Sequence, residues 1–128
     1  MIYGIGTDII EVARIQKAIE HSEAFLTRVF SAGEIHYCTT FVNKYERLAS
    51  RFAAKEAFLK AMGTGLRGGY NLNEIEVIND EIGKPSINLL GSSLEEYNKV
   101  GAPKLISASH IRMTTPWHLW WRCGGSLL

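Results

Sequence analysis

Apolar and polar residues alternate with a two-residue period in several short segments of the chain, which predicts β-strands. Ile2–Ile10 is rich in β-branched residues and is predicted to be a strand, and its glycines indicate a close approach of another backbone. Glu74–Asn79 alternates polar and apolar residues, and Ser86–Leu90 is predicted to be its hairpin partner. Lys104–Ser109 is predicted to be the last strand.

Between these strands the apolar spacing follows the helical period. Helices are predicted over Glu11–Glu20, around Phe25–Phe30, from a capping box at Ser31 and Glu34, from Asn43 to Gly63, and over Ser92–Val100. This order of elements predicts an α+β fold with a largely antiparallel sheet and a long helix. The 128 residues are the size of a single domain with a modest core.

The long helix carries ionisable side chains that could take part in catalysis or binding. Glu56 and Lys60 are four residues apart and share one face, beside a basic row formed by Arg51 and Lys55. The simplest interpretation of Glu56 and Lys60 is a weak surface ion pair. A second carboxylate, Asp8, is predicted near the carboxyl end of the first strand, where the simplest interpretation is a helix N-cap.

Composition argues against several classes of protein. The net charge of +1 gives no strong field for nucleic acids, and no stretch approaches the roughly 18 apolar residues of a membrane span. Cys38 and Cys123 have neither a disulfide-framework spacing nor a metal-ligand spacing. The first residues lack the basic and apolar regions of a signal peptide. A cytoplasmic protein is therefore predicted.

Three motifs carry a resemblance to a known family: Gly4–Glu11 (GIGTDIIE), Arg51–Gly65 (RFAAKEAFLKAMGTG) and Gly83–Pro85 (GKP). Over about residues 1–110 the chain resembles the holo-acyl-carrier-protein synthase family, the small bacterial phosphopantetheinyl transferases. The resemblance implies the 4′-phosphopantetheinyl transferase-like fold. It also implies transfer of the 4′-phosphopantetheine group from coenzyme A to a serine of apo acyl carrier protein in fatty acid biosynthesis, with release of 3′,5′-ADP. Mg²⁺ dependence and a homotrimer with active sites between neighbouring subunits are further expectations.

The resemblance also implies roles for individual residues. Asp8 and Glu56 match the metal-binding carboxylates, and Lys60 matches the residue beside the transferred phosphate. Arg14 matches a position on the helix that docks the carrier protein, and Lys17 and Arg28 could meet an acidic carrier protein electrostatically. The residues that match the coenzyme A site are Arg51, Lys55, Gly63, Thr64, Gly65, Lys84, Pro85 and His110, the last reaching it from the adjacent subunit.

The chemistry of these residue types agrees with the resemblance. Mg²⁺ takes oxygen ligands and often keeps only one or two carboxylates besides phosphates and water. A metal ion and a nearby Lys60 stabilise the negative charge that builds on a phosphate under attack. The serine hydroxyl must also lose a proton. Glu56, Lys60 or a metal-bound water could accept it, and the sequence does not choose among them.

The resemblance stops after His110. The family continues with a polar segment, Tyr-Ala and an apolar strand, whereas residues 111–128 contain Pro116 and three Trp residues. Legal codons for Ser109–Trp121, read one base out of register, encode Ser-His-Thr-Asn-Asp-Tyr-Ala-Met-Ala-Phe-Val-Val, which is a family-like ending. We hypothesise that residues 111–128 arise from a one-base slip in the gene or its sequence record. The alternative is a genuine divergent tail, and resequencing the gene decides between them.

Two other functions stay open on the sequence alone. One is a catalytically disabled relative that only binds coenzyme A or the carrier protein. The other is a small nucleic-acid-binding protein that uses Arg51, Lys55, Arg67 and Lys84 as a phosphate-contacting patch. The net charge of +1 weighs against the second of these.

Overall fold

The computed structural model of the chain describes residues 2–101 and the backbone of residues 105–112. The helices are α1 (Val12–His21), α2 (Glu23–Val29), α3 (Ala32–Thr39), α4 (Lys44–Met62) and α5 (Gly91–Val100). The strands are β1 (Gly4–Glu11), β2 (Ile75–Asn79), β3 (Pro85–Leu89) and β4 (Leu105–Arg112), and short 3-10 turns cover Gly65–Arg67 and Leu72–Glu74. The predicted α+β class is confirmed.

The strands form two pairs of opposite sense. β2 and β3 make the predicted antiparallel hairpin, with Ile75 opposite Leu89. β1 and β4 instead run parallel, from the Gly4–Leu105 pair to the Glu11–Arg112 pair. The sequence predicted a largely antiparallel sheet, and the parallel pairing of β1 and β4 beside α4 differs from that prediction. The connection between these strands contains several helices and a hairpin, which is long enough for the crossover that parallel pairing needs.

Two glycines of β1 allow α4 to pack directly on the strand. A Cβ atom added at Gly6 would lie 1.8 Å from the Ala57 carbonyl oxygen, and one added at Gly4 would lie 1.9 Å from the Ala61 carbonyl oxygen. Any side chain at these positions would push the strand away from the helix. The close approach places Asp8, two residues after Gly6, beside the middle of α4.

The core consists of two apolar clusters on either side of the long helix. One contains buried side chains of β1, α1, α2, α3 and the first half of α4, among them Ile10, Ile15 and Val29. The other joins the second half of α4 to β2. It confirms the predicted inward positions of Phe58, Leu59 and Met62, which are buried together with Tyr70 and Ile75.

Most helix ends follow the sequence signals. α3 begins with the predicted capping box, in which Ser31 Oγ accepts from the Glu34 N–H and Glu34 accepts from the Ser31 N–H. α4 ends at Gly63, whose φ of 74° is the left-handed conformation that glycine adopts readily. Asn43 occupies the N-cap position of α4 but makes no side-chain cap hydrogen bond. Within the described part of the chain, no helix is both long and apolar enough to cross a membrane.

Candidate active site

Asp8, Glu56 and Lys60 come together where β1 crosses α4. Lys60 Nζ donates to Asp8 Oδ1 over 2.8 Å, and the Lys60 side chain is 55% exposed while that of Asp8 is 14% exposed. Lys60 therefore forms its ion pair with Asp8 of β1. The simplest interpretation of the sequence was instead a surface ion pair between Lys60 and Glu56. Asp8 lies inside β1, and Glu11 occupies the N-cap position of α1, so Asp8 is not a helix cap.

The electrostatics of this cluster favour an added positive charge. Burial raises the pKa of Glu56 above its ordinary value, the neighbouring Asp8 carboxylate raises it further, and the Lys60 ammonium partly opposes both. The hydrogen bond to Asp8 raises the pKa of Lys60, which is therefore a cation at neutral pH. An added cation would stabilise the ionised form of Glu56 beside Asp8.

A pocket of about 400 Å³ opens beside the two carboxylates. Its polar wall includes Asp8, Glu56 and Arg14, and its apolar wall includes Phe25 and Phe52. The predicted docking residue on α1 therefore lines the same pocket as the predicted catalytic carboxylates. Lys17 on α1 and Arg28 on α2 are exposed, as a partner surface requires.

Arg51 lies on another face of α4 and is connected to the hairpin. One guanidinium nitrogen donates to Asn79 Oδ1 over 2.7 Å, and Asn79 Nδ2 donates to the Gly83 carbonyl over 3.0 Å. Lys84 and Pro85 follow Gly83 and are exposed. Two parts of the predicted coenzyme A site, Arg51 and the Gly83–Pro85 motif, are thus joined through Asn79, which the sequence reasoning missed.

Lys55 is fully buried, so the predicted basic row of Arg51 and Lys55 on α4 is not open to solvent. Its Nζ is fully buried and donates to Glu34 Oε2 over 2.6 Å, to the Val29 carbonyl over 2.7 Å and to the Leu72 carbonyl over 2.8 Å. Burial lowers the pKa of Lys55, while the Glu34 carboxylate holds the proton in place. All three ammonium donors have partners, so the geometry does not support a direct contact with coenzyme A.

The predicted site is divided between two faces of one helix. Arg51 and Glu56 are five residues apart, which places them about 140° apart around α4 at 3.6 residues per turn. Glu56 faces Asp8, whereas Arg51 faces Asn79. The acidic cluster and the Arg51–hairpin region therefore do not face each other within one chain.

Two other parts of the predicted coenzyme A site are the loop after α4 and His110. Gly63, Thr64 and Gly65 are exposed after the end of α4, and Gly63 is three residues beyond Lys60. The backbone of His110 lies in β4 opposite Ile9. The side chain of His110 and residues 113–128, which include most of the hypothesised frameshift, lie outside the described part of the structure.

The sequence reasoning also missed an aromatic and basic cluster beside Arg51. The Arg47 guanidinium carbon lies 3.6 Å from the centroid of the Phe41 ring, and that of Arg51 lies 4.7 Å from the centroid of the Tyr37 ring. Arg47 and Arg51 are four residues apart on α4, so their helical spacing could have indicated a shared surface.

The carboxylates of Asp8 and Glu56 fit a magnesium ion whose other ligands would be phosphate oxygens and water molecules. Among the described residues no cluster of three or more His, Cys, Asp or Glu side chains could enclose a metal ion. The pair of Asp8 and Glu56 offers two carboxylates without soft ligands, which is the limited protein donor set that Mg²⁺ often has beside phosphates.

Comparison with known proteins identifies the family of the chain. Residues 4–108 match the model of the 4′-phosphopantetheinyl transferase superfamily. The holo-[acyl-carrier-protein] synthase of Geotalea daltonii is 45% identical over 112 residues, which cover 86% of this chain and 90% of the relative. That of Clostridium tetani is 48% identical over 113 residues, covering 88% of this chain and 89% of the relative.

Solved structures extend the agreement to the fold. The holo-[acyl-carrier-protein] synthase of Neisseria meningitidis has a TM-score of 0.70 at 38% identity, over 79% of this chain and 81% of that one. The Helicobacter pylori enzyme in complex with coenzyme A has a TM-score of 0.62 at 31% identity, over 74% and 79% of the two chains. The chain therefore belongs to the 4′-phosphopantetheinyl transferase superfamily and, within it, to the holo-[acyl-carrier-protein] synthases.

Proposed function

We propose that this chain transfers the 4′-phosphopantetheine group of coenzyme A to a serine of apo acyl carrier protein, with Asp8, Glu56 and Lys60 as the reacting centre. The reaction yields holo acyl carrier protein for fatty acid biosynthesis and releases 3′,5′-ADP. The observation that carries the proposal is the convergence of two carboxylates and one exposed lysine at the crossing of β1 and α4. Relatives over most of the chain bear the name of this activity, and several solved relatives contain coenzyme A.

The transfer exchanges one phosphorus–oxygen bond for another. The serine oxygen attacks the phosphorus that carries pantetheine, and the bond from that phosphorus to the bridging oxygen of the pyrophosphate breaks. The bridging oxygen leaves with 3′,5′-ADP. Lys60 is an ammonium beside Asp8 and is placed to stabilise negative charge on the phosphate oxygens.

The proton of the serine hydroxyl needs an acceptor. Lys60 is a poor one, because its hydrogen bond to Asp8 raises its pKa and keeps it protonated. Glu56 is the remaining candidate among the groups that the sequence suggested from the chain itself, because its carboxylate lies in the same cluster beside Asp8 and Lys60. Asp8 and Glu56 would also hold Mg²⁺, which when bound supplies Lewis-acid stabilisation of the phosphate oxygens.

The carrier protein would approach along α1 and α2. The pocket beside Asp8 and Glu56 is bordered by Arg14, and the exposed cations of this surface continue with Lys17 and Arg28. An acidic partner would be attracted to these cations, and a serine-bearing segment could reach the carboxylates through the pocket.

The active enzyme would be a homotrimer that shares its sites between subunits. Ile5 and Ile9 are 66% and 63% exposed on the face of β1 that points away from α4. Such an apolar strand face is typical of a surface that another copy covers. A trimer could also bring the Arg51 region of one subunit to the acidic cluster of the next. Light scattering should then give about three times the chain mass of 14.3 kDa, and less in an Ile5→Ser and Ile9→Ser double variant.

A mass-spectrometric transfer assay tests the reaction. The chain, apo acyl carrier protein, coenzyme A and Mg²⁺ should give the mass increase of one phosphopantetheine group, and EDTA should abolish it. Asp8→Ala and Glu56→Ala should each remove the increase, whereas Glu95→Ala, which removes an exposed carboxylate on α5, should retain it. A folded chain that binds coenzyme A without any transfer would contradict the proposal and favour the catalytically disabled relative.

A further inference from the structure

Lys55 joins the middle of α4 to three other parts of the fold. Its Nζ donates to the Glu34 carboxylate of α3, to the Val29 carbonyl at the end of α2 and to the Leu72 carbonyl in the 3-10 turn before β2. The side chains of Lys55 and Glu34 are both completely buried. Because hydrogen bonds are directional, three of them at one buried ammonium restrain how α4 can turn or slide at this residue. We call the pair of Lys55 and Glu34 the buried anchor.

The Glu34 end of the buried anchor is held by backbone groups. Glu34 Oε2 accepts from the Ser31 N–H over 2.9 Å, and Oε1 accepts from the Val77 N–H over 2.9 Å. The anchor therefore connects α4 to the start of α3 and to the backbone of β2. A buried polar network in which every member has its partners specifies one arrangement of the elements that it joins.

The contact of α4 with β1 is of a different kind. Gly4 and Gly6 lie close to the carbonyl oxygens of Ala61 and Ala57. In the described structure, the side-chain ion pair across this contact is that of Lys60, whose side chain is 55% exposed. Van der Waals packing sets how closely the strand and the helix approach, and directional bonds are better suited to fix the rotation of the helix.

Glu56 depends on that rotation. It directly follows Lys55, so the two side chains project about 100° apart around α4. In the described part of the chain, Glu56 interacts with Asp8 and Lys60 through charge and accepts no hydrogen bond. Two carboxylates repel each other until a cation binds between them. The orientation of α4 must therefore keep Glu56 beside Asp8 before the metal ion arrives.

We propose that Lys55 and Glu34 are positioning residues for the reaction, because the buried anchor holds α4 in the rotation that keeps the Glu56 carboxylate beside Asp8, ready for a divalent cation. This inference rests on the proposed function. It gives Lys55 an indirect role in the site, in place of the direct contact with coenzyme A that its burial opposes.

Lys55→Met combined with Glu34→Gln tests the inference. The double variant removes the anchor without leaving a buried unpaired charge. Ile75→Ala is the control for stability, since it opens a cavity in the second core cluster and leaves both residues of the anchor in place. Urea denaturation of each protein establishes that it is folded and how far its midpoint has moved.

Binding of Mn²⁺ gives a readout that does not depend on activity. Mn²⁺ takes oxygen ligands as Mg²⁺ does, and its electron paramagnetic resonance signal reports the unbound ion. With coenzyme A present throughout, the double variant should raise the Kd for Mn²⁺ about tenfold or more, because residues that orient metal ligands have effects of this size. Ile75→Ala should leave this Kd within about twofold.

Transfer kinetics give a second readout. At saturating Mg²⁺ and coenzyme A, the double variant should lower kcat for phosphopantetheine transfer about tenfold or more. Its KM for apo acyl carrier protein should stay within about twofold, because α1 takes no part in the anchor. Should the double variant fail to fold, Glu34→Asp takes its place. It keeps the charge but shortens the side chain by one carbon, and the same changes in Kd and kcat are expected.

The possible failures are distinguishable. If the variant of the anchor matched Ile75→Ala in both the Kd for Mn²⁺ and kcat, the anchor would only stabilise the fold and the inference would be wrong. If the unchanged chain bound no Mn²⁺, the metal role of the two carboxylates and this inference would both be overturned. If the unchanged chain bound Mn²⁺ but transferred no phosphopantetheine, the proposed function would fail, and the Kd values for Mn²⁺ would still decide whether the anchor positions Glu56.

Discussion

Two lysines of α4, five residues apart, form ion pairs of nearly the same length in opposite environments. Lys55 Nζ lies 2.6 Å from Glu34 Oε2 with both side chains completely buried. Lys60 Nζ lies 2.8 Å from Asp8 Oδ1 with the lysine side chain 55% exposed. The chemical groups are alike, so the difference in their roles comes from what surrounds them.

The buried pair is saturated with hydrogen bonds. The Lys55 ammonium has two backbone carbonyl acceptors besides Glu34, and the Glu34 carboxylate also accepts from the Ser31 and Val77 N–H groups. Such a pair connects α4, α3 and β2, and it leaves no donor or acceptor for a ligand. The Lys60 pair has one hydrogen bond in the described structure and a second carboxylate, Glu56, beside it. In the proposed function, this pair would exchange partners when phosphate or a metal ion binds.

The largest expected effect comes from breaking the buried pair. Lys55→Met should lower the free energy of unfolding by about 3–5 kcal/mol, because it leaves the Glu34 carboxylate buried without a counter-charge. Urea denaturation at one fixed protein concentration measures the difference.

Two further variants control this measurement. Adding Glu34→Gln to Lys55→Met should recover part of the loss, because the uncompensated charge is then removed. Lys99→Met breaks an exposed pair with Glu96 on α5 and should change the unfolding free energy too little to measure. A loss in Lys55→Met as small as that in Lys99→Met would mean that the buried pair does not stabilise the fold.

Breaking the exposed pair should affect chemistry and leave stability unchanged. Lys60→Met should reduce the transfer rate about 100- to 1000-fold, because it removes one fixed positive charge from the phosphate under attack. The urea midpoint should stay that of the unchanged chain, since the Lys60 side chain is largely in solvent. Transfer rates at saturating coenzyme A, measured beside urea curves, separate the two effects.

Lys60→Arg is the matched variant for charge. It should retain more transfer activity than Lys60→Met because it keeps a cation near Asp8. If Lys60→Met transferred phosphopantetheine at the normal rate, Lys60 would have no role in the reaction. Only the carboxylates of Asp8 and Glu56 would then remain as candidates for the reacting centre.

The exposed pair depends on how closely β1 approaches α4. Gly6→Ala should cost about 1–3 kcal/mol of unfolding free energy, because its Cβ atom would lie 1.8 Å from the Ala57 carbonyl oxygen and must push the backbones apart. The same shift should move Asp8 from Glu56 and lower transfer in the folded protein. Thr7→Ala, at the next and exposed position of β1, is the control and should change neither property. A Gly6→Ala protein as stable and active as the unchanged chain would contradict the close packing.

The two lysines also show which features of the site could be predicted from the sequence and which could not. The helical period correctly predicted α4 and its end at Gly63, and motif resemblance selected Asp8, Glu56 and Lys60, which the fold brings together. The burial of Lys55 was not predicted, because a lysine is seldom fully buried and its partner Glu34 is 21 residues away in the chain. Helical spacing states which face a residue occupies and not what packs on that face.

The pairing of strands was a second limit. The alternation of β2 and β3, separated by a short turn, specified an antiparallel hairpin because the chain has to return directly. Nothing local specified the partner of β1, since β4 lies at the far end of the described chain and its parallel register depends on the packing of the elements between them. The aromatic and basic cluster beside Arg51 was missed for a similar reason, because it combines Tyr37 of α3, Arg47 and Arg51 of α4, and Phe41 in the loop between these helices.

The smallest effect is expected at Glu74, where a carboxylate caps a helix from outside it. Glu74 Oε2 accepts from the Ser92 hydroxyl over 2.8 Å, from the Ser93 N–H over 2.9 Å and from the Ser93 hydroxyl over 2.9 Å. These bonds lower the pKa of Glu74 from 4.5 to about 2. α5 is therefore capped by a residue from the preceding 3-10 turn, although the sequence suggested that Ser92 opens the helix.

Glu74→Gln should lower the unfolding free energy at pH 7 by about 1–2 kcal/mol, less than the full pKa shift implies, because solvent screens this partly exposed group. The folded-state pKa is lowered, so the carboxylate stabilises the fold above its unfolded pKa and loses that contribution as the pH falls from about 4.5 towards 2. The difference between the unchanged chain and Glu74→Gln, measured by urea denaturation from pH 7 down to the lowest pH at which both fold, should therefore shrink on acidification. Glu95→Gln, an exposed carboxylate of α5, corrects for a general loss of charge. A difference that stayed constant with pH would show that the contribution of Glu74 to stability does not depend on its ionisation.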